Sequence, residues 1–222
     1  MRGLVIVAWQ SLTFWVFGIP LRWWFRVKTG GWSGVPLPGM VYIFASNHPT
    51  RLDPFLVSYG IPWRLAWRLF PVRFATAPKY LDAWWKKVLL LPFGCVSLES
   101  KNGQKVTERL ASILQKGENL FLFPSGRLEK GEEKINPKVG VVYLEKEVKN
   151  ALILPVRIII EGPFTWSGIL CRKVCVNIHI MAPFRHTHFQ SDLQPLAWDV
   201  VRRIKNGALN PECQSTSREK RI

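Results

Sequence analysis

Ser46-Asn47-His48-Pro49-Thr50-Arg51-Leu52-Asp53-Pro54 places an imidazole and a carboxylate five residues apart, with apolar sequence on both sides. Before it runs Val41-Tyr42-Ile43-Phe44-Ala45, rich in the residue types of a buried strand. After it runs Phe55-Leu56-Val57-Ser58-Tyr59, which suits the start of a helix. Within one continuous helix, five residues turn the chain about 140° past a full circle, so the two side chains would diverge. Pro54 argues against such a helix, because proline is tolerated only in the first turn and pushes the residue before it out of helical dihedrals. The spacing therefore predicts a strand, a folded-back turn carrying His48, and a helix N-capped by Asp53. In that turn the carboxylate can hold one ring nitrogen and leave the other for a proton.

Working outward, the composition sets the partner class. The 222-residue chain is 48% hydrophobic, enough for one substantial core, and carries a formal charge of +16. That charge calls for a polyanionic partner or surface. Residues 1–98 hold nine of the eleven tryptophans, interleaved with basic residues as in Arg22-Trp23-Trp24-Phe25-Arg26, Trp63-Arg64-Leu65-Ala66-Trp67-Arg68 and Trp84-Trp85-Lys86-Lys87. Indole rings beside cations suit the headgroup layer of a membrane. Single-strand nucleic-acid binders also mix aromatic and basic residues, but a hydrophobic N-terminal segment favours the membrane.

That segment, Gly3 to Leu21, is 19 residues without a charge, the lower end of a spanning length. No small-x-small cleavage site follows it, so we read residues 1–27 as a retained anchor helix, spanning or lying in one leaflet. The basic flank after it places the rest of the chain on the cytoplasmic face. Lys28 to Met40 is a Gly/Pro-rich connection, residues 28–209 form the main domain, and residues 210–222 form a disordered polar tail.

Alternating strand-like and helix-like segments make the main domain α/β, a mixed central sheet flanked by helices. Helices are expected in two pieces over 55–70, over 79–91, 103–116 and 139–148, and over 192–206. Strands are expected over 72–77, 95–98, 119–123, 152–160 and 171–181. Pro155 inside one strand implies an edge position or a bulge. The strand 119–123 delivers the turn Pro124-Ser125-Gly126-Arg127, where Gly126 permits a positive φ and Arg127 presents a fork of donors suited to phosphate. Leu128 to Asn136 looks polar and mobile. Neither the four cysteines nor His186-x-His188 has the spacing of a metal site.

Four blocks in order resemble the glycerolipid acyltransferases, the family that includes 1-acylglycerol-3-phosphate acyltransferase. Asn47-His48-x4-Asp53 is similar to its catalytic His-x4-Asp motif. Lys79-Tyr80-Leu81 followed by Pro92-Phe93-Gly94-Cys95-Val96-Ser97 is similar to the second block, Phe123-Pro124-Ser125-Gly126-Arg127 to the Phe-Pro-Glu-Gly block, and Leu154-Pro155-Val156 to the last.

The resemblance implies transfer of a fatty acyl chain from acyl-CoA or acyl carrier protein to a lysophospholipid or glycerol-phosphate hydroxyl, in phospholipid biosynthesis. His48 would be the general base and Asp53 its orienting acid. Lys79, Phe123, Pro124, Ser125, Gly126 and Arg127 would contact substrate, with membrane phospholipids as surroundings and no metal or further cofactor. Two departures concern acceptor recognition: the family glutamate is Ser125 here, and Glu99-Ser100 stands where an arginine is expected. A non-enzymatic protein binding anionic lipid surfaces is the rival reading, and a serine hydrolase built on Ser125 is a weaker one.

Overall fold

The computed structural model describes residues 2–32, 35–100, 105–129, 136–165, 167–168 and 171–207. The polar tail, the start of the 103–116 helix and most of the 128–136 segment fall outside these residues.

An N-terminal helix runs through α1 (Arg2–Thr13), a π-helical turn (Phe14–Gly18) and α2 (Ile19–Trp24). There follow β1 (Lys28–Gly30), β2 (Val41–Ser46), α3 (Asp53–Gly60), α4 (Trp63–Leu69) and β3 (Val72–Thr76). Next come α5 (Trp84–Leu90), β4 (Cys95–Ser97), α6 (Val106–Gln115), β5 (Asn119–Leu122) and α7 (Gly140–Glu147). The long strand β6 (Ala151–Glu161), β7 (Cys175–Ile180) and a final helix α8 (Gln194–Asn206) complete the described chain.

The seven strands form one sheet in the order β1-β7-β6-β2-β5-β3-β4. Five neighbouring pairs are parallel and β6–β7 is antiparallel, so the sheet is mixed, with β1 and β7 running against the rest. All six residues of β2 are buried, as a strand covered on both faces requires. Tyr42, Phe44 and Phe121 face a core shared with the N-terminal helix, α3 and α4. Ile43, Leu120 and Ile153 face a second core with α6, α7 and α8. The His48 turn leaves the C-terminal end of the central strand β2, the end of a parallel sheet where ligands bind.

Several expectations change. Asp53 is the first residue of α3 and Leu52 takes the cap position, with Pro54 in the first turn. The Asp53 carboxylate is turned back onto the preceding turn instead of capping the helix. The 79–91 helix is cut to a 3-10 turn, Pro78–Tyr80, and the seven residues of α5. Within the Gly/Pro-rich connection, β1 adds an edge strand, pairing Lys28 with Asn177 and Gly30 with His179.

Pro155 lies in an interior strand, not at an edge. The Met181 amide donates to the Pro155 carbonyl at 3.0 Å, so the missing N–H faces the β7 side. Pairing slips by one residue there, from Val156 opposite Ile180 to Ile153 opposite Phe184. The ladder therefore skips the position proline cannot fill, as a bulge would.

The N-terminal helix is long and apolar enough to cross a membrane. One face of it is nevertheless docked on the domain: Ile6, Gln10, Thr13 and Phe14 are buried. Gln10 donates from Nε2 to the carbonyls of Val72 (2.7 Å) and Phe93 (2.8 Å), and its Oε1 accepts from the Val72 amide at 3.1 Å. A glutamine in an apolar helix is thereby satisfied by the backbone where β3 begins. Gly18 admits the Tyr59 ring of α3, which an added Cβ would meet at 2.9 Å.

Candidate active site

The geometry begins with Asn47. Its side-chain amide donates to the Ile158 carbonyl (2.9 Å) and accepts from the Ile158 amide (2.7 Å), continuing the β2–β6 pairing one residue past the end of β2. Asn47 thus pins the strand exit from which His48 departs.

His48 Nδ1 lies 2.8 Å from Asp53 Oδ2. Asp53 is fully buried, whereas the imidazole retains 17% side-chain exposure. The carboxylate has two further donors: the Thr50 amide reaches Oδ2 at 2.9 Å and the Thr50 hydroxyl reaches Oδ1 at 2.5 Å. A buried carboxylate with three hydrogen bonds is satisfied as an anion. It selects the tautomer with a proton on Nδ1, leaving Nε2 with its lone pair outward. Among the described residues no protein group bonds Nε2.

The second turn closes over the first. The Phe123 ring stacks on the imidazole with centroids 3.7 Å apart and planes 12° from parallel. The Glu129 amide donates to the His48 carbonyl at 2.8 Å, and the Glu129 carboxylate accepts from the His48 amide at 3.3 Å. Gly126 has φ +65°, the left-handed turn its sequence position anticipated. Pro124 accepts from the Lys138 amide at 2.8 Å, which ties the turn to the approach to α7.

Ser125 is buried and donates its hydroxyl to the Arg127 carbonyl at 2.9 Å. That hydroxyl is spent within its own turn, which removes the nucleophile required by a serine hydrolase. Arg127 is exposed at the rim of the turn. A narrow cleft behind it is lined by Asn47, Pro124, Ser125, Glu129 and, from α8, Val201 and Lys205.

Lys79 lies exposed in the Pro78–Tyr80 turn, with Nζ 5.3 Å from the Tyr80 ring centroid. The structure therefore brings His48, Asp53, Phe123 and the Pro124–Arg127 turn together, and leaves Lys79 at the surface near the end of β3. Thr50 and Glu129 were missed as site residues. Thr50 lies inside the decisive stretch, where a hydroxyl three residues before an acid signals a turn bond. Glu129 lies in a polar segment whose composition carries no such signal.

His186 lies at a separate cluster, 2.6 Å from buried Glu145 through Nδ1 and 3.6 Å from Asp199 through Nε2. It is bound up in holding α7 to α8. Among the described residues no group of three or more His, Cys, Asp or Glu could hold a metal ion.

The α/β sheet thus carries a histidine–carboxylate pair at the exit of its central strand, in the form a proton-transfer site takes. The family model for the acyltransferases matches residues 36–159, more than half of the chain and the whole of both turns. The chain belongs to the acyltransferase family and is an acyltransferase. Among solved structures it is similar to PlsC, the 1-acyl-sn-glycerophosphate (LPA) acyltransferase of Thermotoga maritima, with a TM-score of 0.62 over 97% of this chain and 98% of that one. Sequence identity is 15%, so that likeness speaks for the fold. No curated protein sequence matches.

Proposed function

We propose that this acyltransferase moves a fatty acyl group from acyl-CoA or acyl carrier protein to the free hydroxyl of a lysophospholipid or glycerol-phosphate lipid, within phospholipid biosynthesis. The observation that carries this reading is the His48–Asp53 pair, with Nδ1 held at 2.8 Å and the other nitrogen open. In the reaction Nε2 removes the proton of the acceptor hydroxyl as its oxygen attacks the thioester carbonyl. Asp53 stabilises the imidazolium that forms, and the proton passes to the departing thiolate. No covalent enzyme intermediate and no metal or further cofactor takes part.

The tetrahedral oxyanion needs donors. The amides of His48, Thr50 and Leu52 are already engaged, and residue 49 is proline. In this reading the backbone N–H of Arg51, in the same turn, donates to the oxyanion. Arg127, with Lys79 farther out, supplies positive charge for a phosphate-bearing acceptor. The Phe123 ring holds the imidazole in plane.

The N-terminal helix anchors the enzyme in the plane of the cytoplasmic leaflet. Its buried face is used by the domain, while Leu4, Leu12, Val16 and Phe17 on the other face are more than half exposed. A helix held alongside its domain and apolar on the outside suits one leaflet.

The test is transfer from both donor types to a panel of lysophospholipids by purified enzyme. His48→Ala is expected to abolish transfer while leaving membrane binding intact. Near-full activity without His48 would overturn the mechanism.

A further inference from the structure

We propose that α5 is a second membrane-inserting element, seated beside the N-terminal helix and selective for anionic phospholipid headgroups through the cations that flank it. The proposal rests on the membrane placement argued above and adds to it a surface that the anchor helix does not require.

α5 turns its apolar side chains outward. Trp84 is 76% exposed, Val88 68%, Trp85 54% and Leu91 49%. Residues 84, 88 and 91 follow the i, i+4, i+7 spacing of a single helix stripe, with Trp85 at its border. The stripe faces away from both cores of the domain. An exposed apolar surface of this kind marks an interaction site.

Three observations identify the occupant as a lipid leaflet. First, α5 is tied to the anchor through the loop that follows it. The loop that ends α5 places Phe93 edge-on to Trp9 of α1, at 6.1 Å between centroids, and its carbonyl accepts from Gln10. On the opposite flank of the anchor, Trp15 packs on Trp63 of α4 at 4.9 Å, and α4 carries Trp67, 56% exposed, with the Arg68 guanidinium 5.2 Å from its ring.

Second, the flanking charges are cationic. Lys87 borders the stripe and is exposed, as are Arg64, Arg68 and Lys79. Asp82, the acid of this region, is bonded to Lys86 Nζ at 2.8 Å. Third, indole rings beside lysine and arginine match the depth profile of a headgroup layer, with rings at the carbonyl level and cations at the phosphates. A protein partner would not need cations ringing an apolar stripe tied to a membrane anchor.

Hydrogen exchange of the full chain, with and without vesicles, is the direct test. With phosphatidylglycerol-containing vesicles, peptides covering residues 84–91 are expected to gain protection together with those of residues 3–24. Protection of 3–24 alone would overturn the proposal, as would protection of 84–91 by self-association without lipid.

A second arm uses Trp84→Ser/Val88→Ser and Lys87→Glu. The double variant is expected to weaken vesicle binding about tenfold or more on any lipid. Lys87→Glu is expected to weaken binding several-fold on anionic vesicles only. Both should retain transfer to a water-soluble short-chain lysophospholipid. Vesicle binding equal to wild type in both variants would overturn the proposal. Transfer retained by His48→Ala, with vesicle binding weakened in both α5 variants, would overturn the catalytic reading and leave this proposal standing.

Discussion

Thr50 donates its hydroxyl to Asp53 Oδ1 across 2.5 Å and its amide to Oδ2 at 2.9 Å, so the acid that orients the histidine is itself held from the turn between them. The sequence His48-Pro49-Thr50 thereby encloses its own support. Replacing Thr50 with Val removes one donor from a buried carboxylate and leaves the amide bond. We expect kcat to fall about tenfold with the acceptor KM within twofold, and Thr50→Ser to restore it. Steady-state kinetics on the three proteins checks this.

Asp53→Asn keeps the shape of the turn but offers Nδ1 an amide in place of an anion. The imidazole would then lose its preferred tautomer and the charge that stabilises its protonated form. A drop in kcat of about 10³–10⁴ is expected, the scale seen when the orienting acid of a histidine base is neutralised. Thermal denaturation measured alongside should separate this from unfolding.

Gly126→Ala imposes strain of about 1 kcal/mol at φ +65°, and the new methyl would meet Lys138 Cε at 2.8 Å. The lysine end is flexible and can move aside, so the backbone carries the cost. A small fall in melting temperature with a clear rise in the KM of a phosphate-bearing acceptor is expected, because Arg127 follows directly. An unchanged KM would separate Arg127 from acceptor binding.

Gln10→Leu strips the start of β3 of its side-chain partners. The Val72 amide, paired here with Gln10 Oε1 at 3.1 Å, is left buried and unsatisfied at a cost of about 1–3 kcal/mol. Denaturation of the detergent-solubilised protein should show this loss, whereas a free-swinging anchor would show none.

Burial works to raise the Asp199 pKa, but hydrogen bonds from Arg203 and Arg202 outweigh it and hold the carboxyl below its ordinary value. The sign follows from a depressed folded-state pKa. The stabilising contribution is present above the unfolded carboxylate range and is lost as pH falls through the lower folded value. Asp199→Asn should therefore narrow the stability difference between neutral and acidic pH, read by denaturation at several pH values. Both arginines are half exposed or more, so the effect is modest.

The central strand, the turn and the His48–Asp53 pair were legible because proline, the apolar runs and the five-residue spacing act locally. The acyltransferase blocks pointed to the family for the same reason, since each block is a short contiguous run. Part of what escaped the sequence is a choice between local partners, and the rest depends on distant ones. Asp53 was expected to cap α3, yet its carboxylate serves Thr50 and His48, because satisfying a buried anion three times outweighs one capping bond. β1 could not be read from Lys-Thr-Gly, whose strand character comes only from the β7 edge it meets. Pro155 implied an edge or a bulge, and the one-residue slip of the returning chain decides for the bulge. Lys79 belonged to a recognisable block, and the helix expected over 79–91 is shortened to a 3-10 turn that carries Lys79 and the seven residues of α5.

Gln10 has a last consequence. Because the apolar helix is clamped to β3 along its flank, the enzyme does not hang from a flexible leash. On the proposed membrane placement, the height of the imidazole above the bilayer is fixed by side-chain packing, so the protein works as a depth gauge. On the same reading, acceptors whose hydroxyl rests at that level would meet the base, and those lying deeper or riding higher would be passed over without any contact made to reject them.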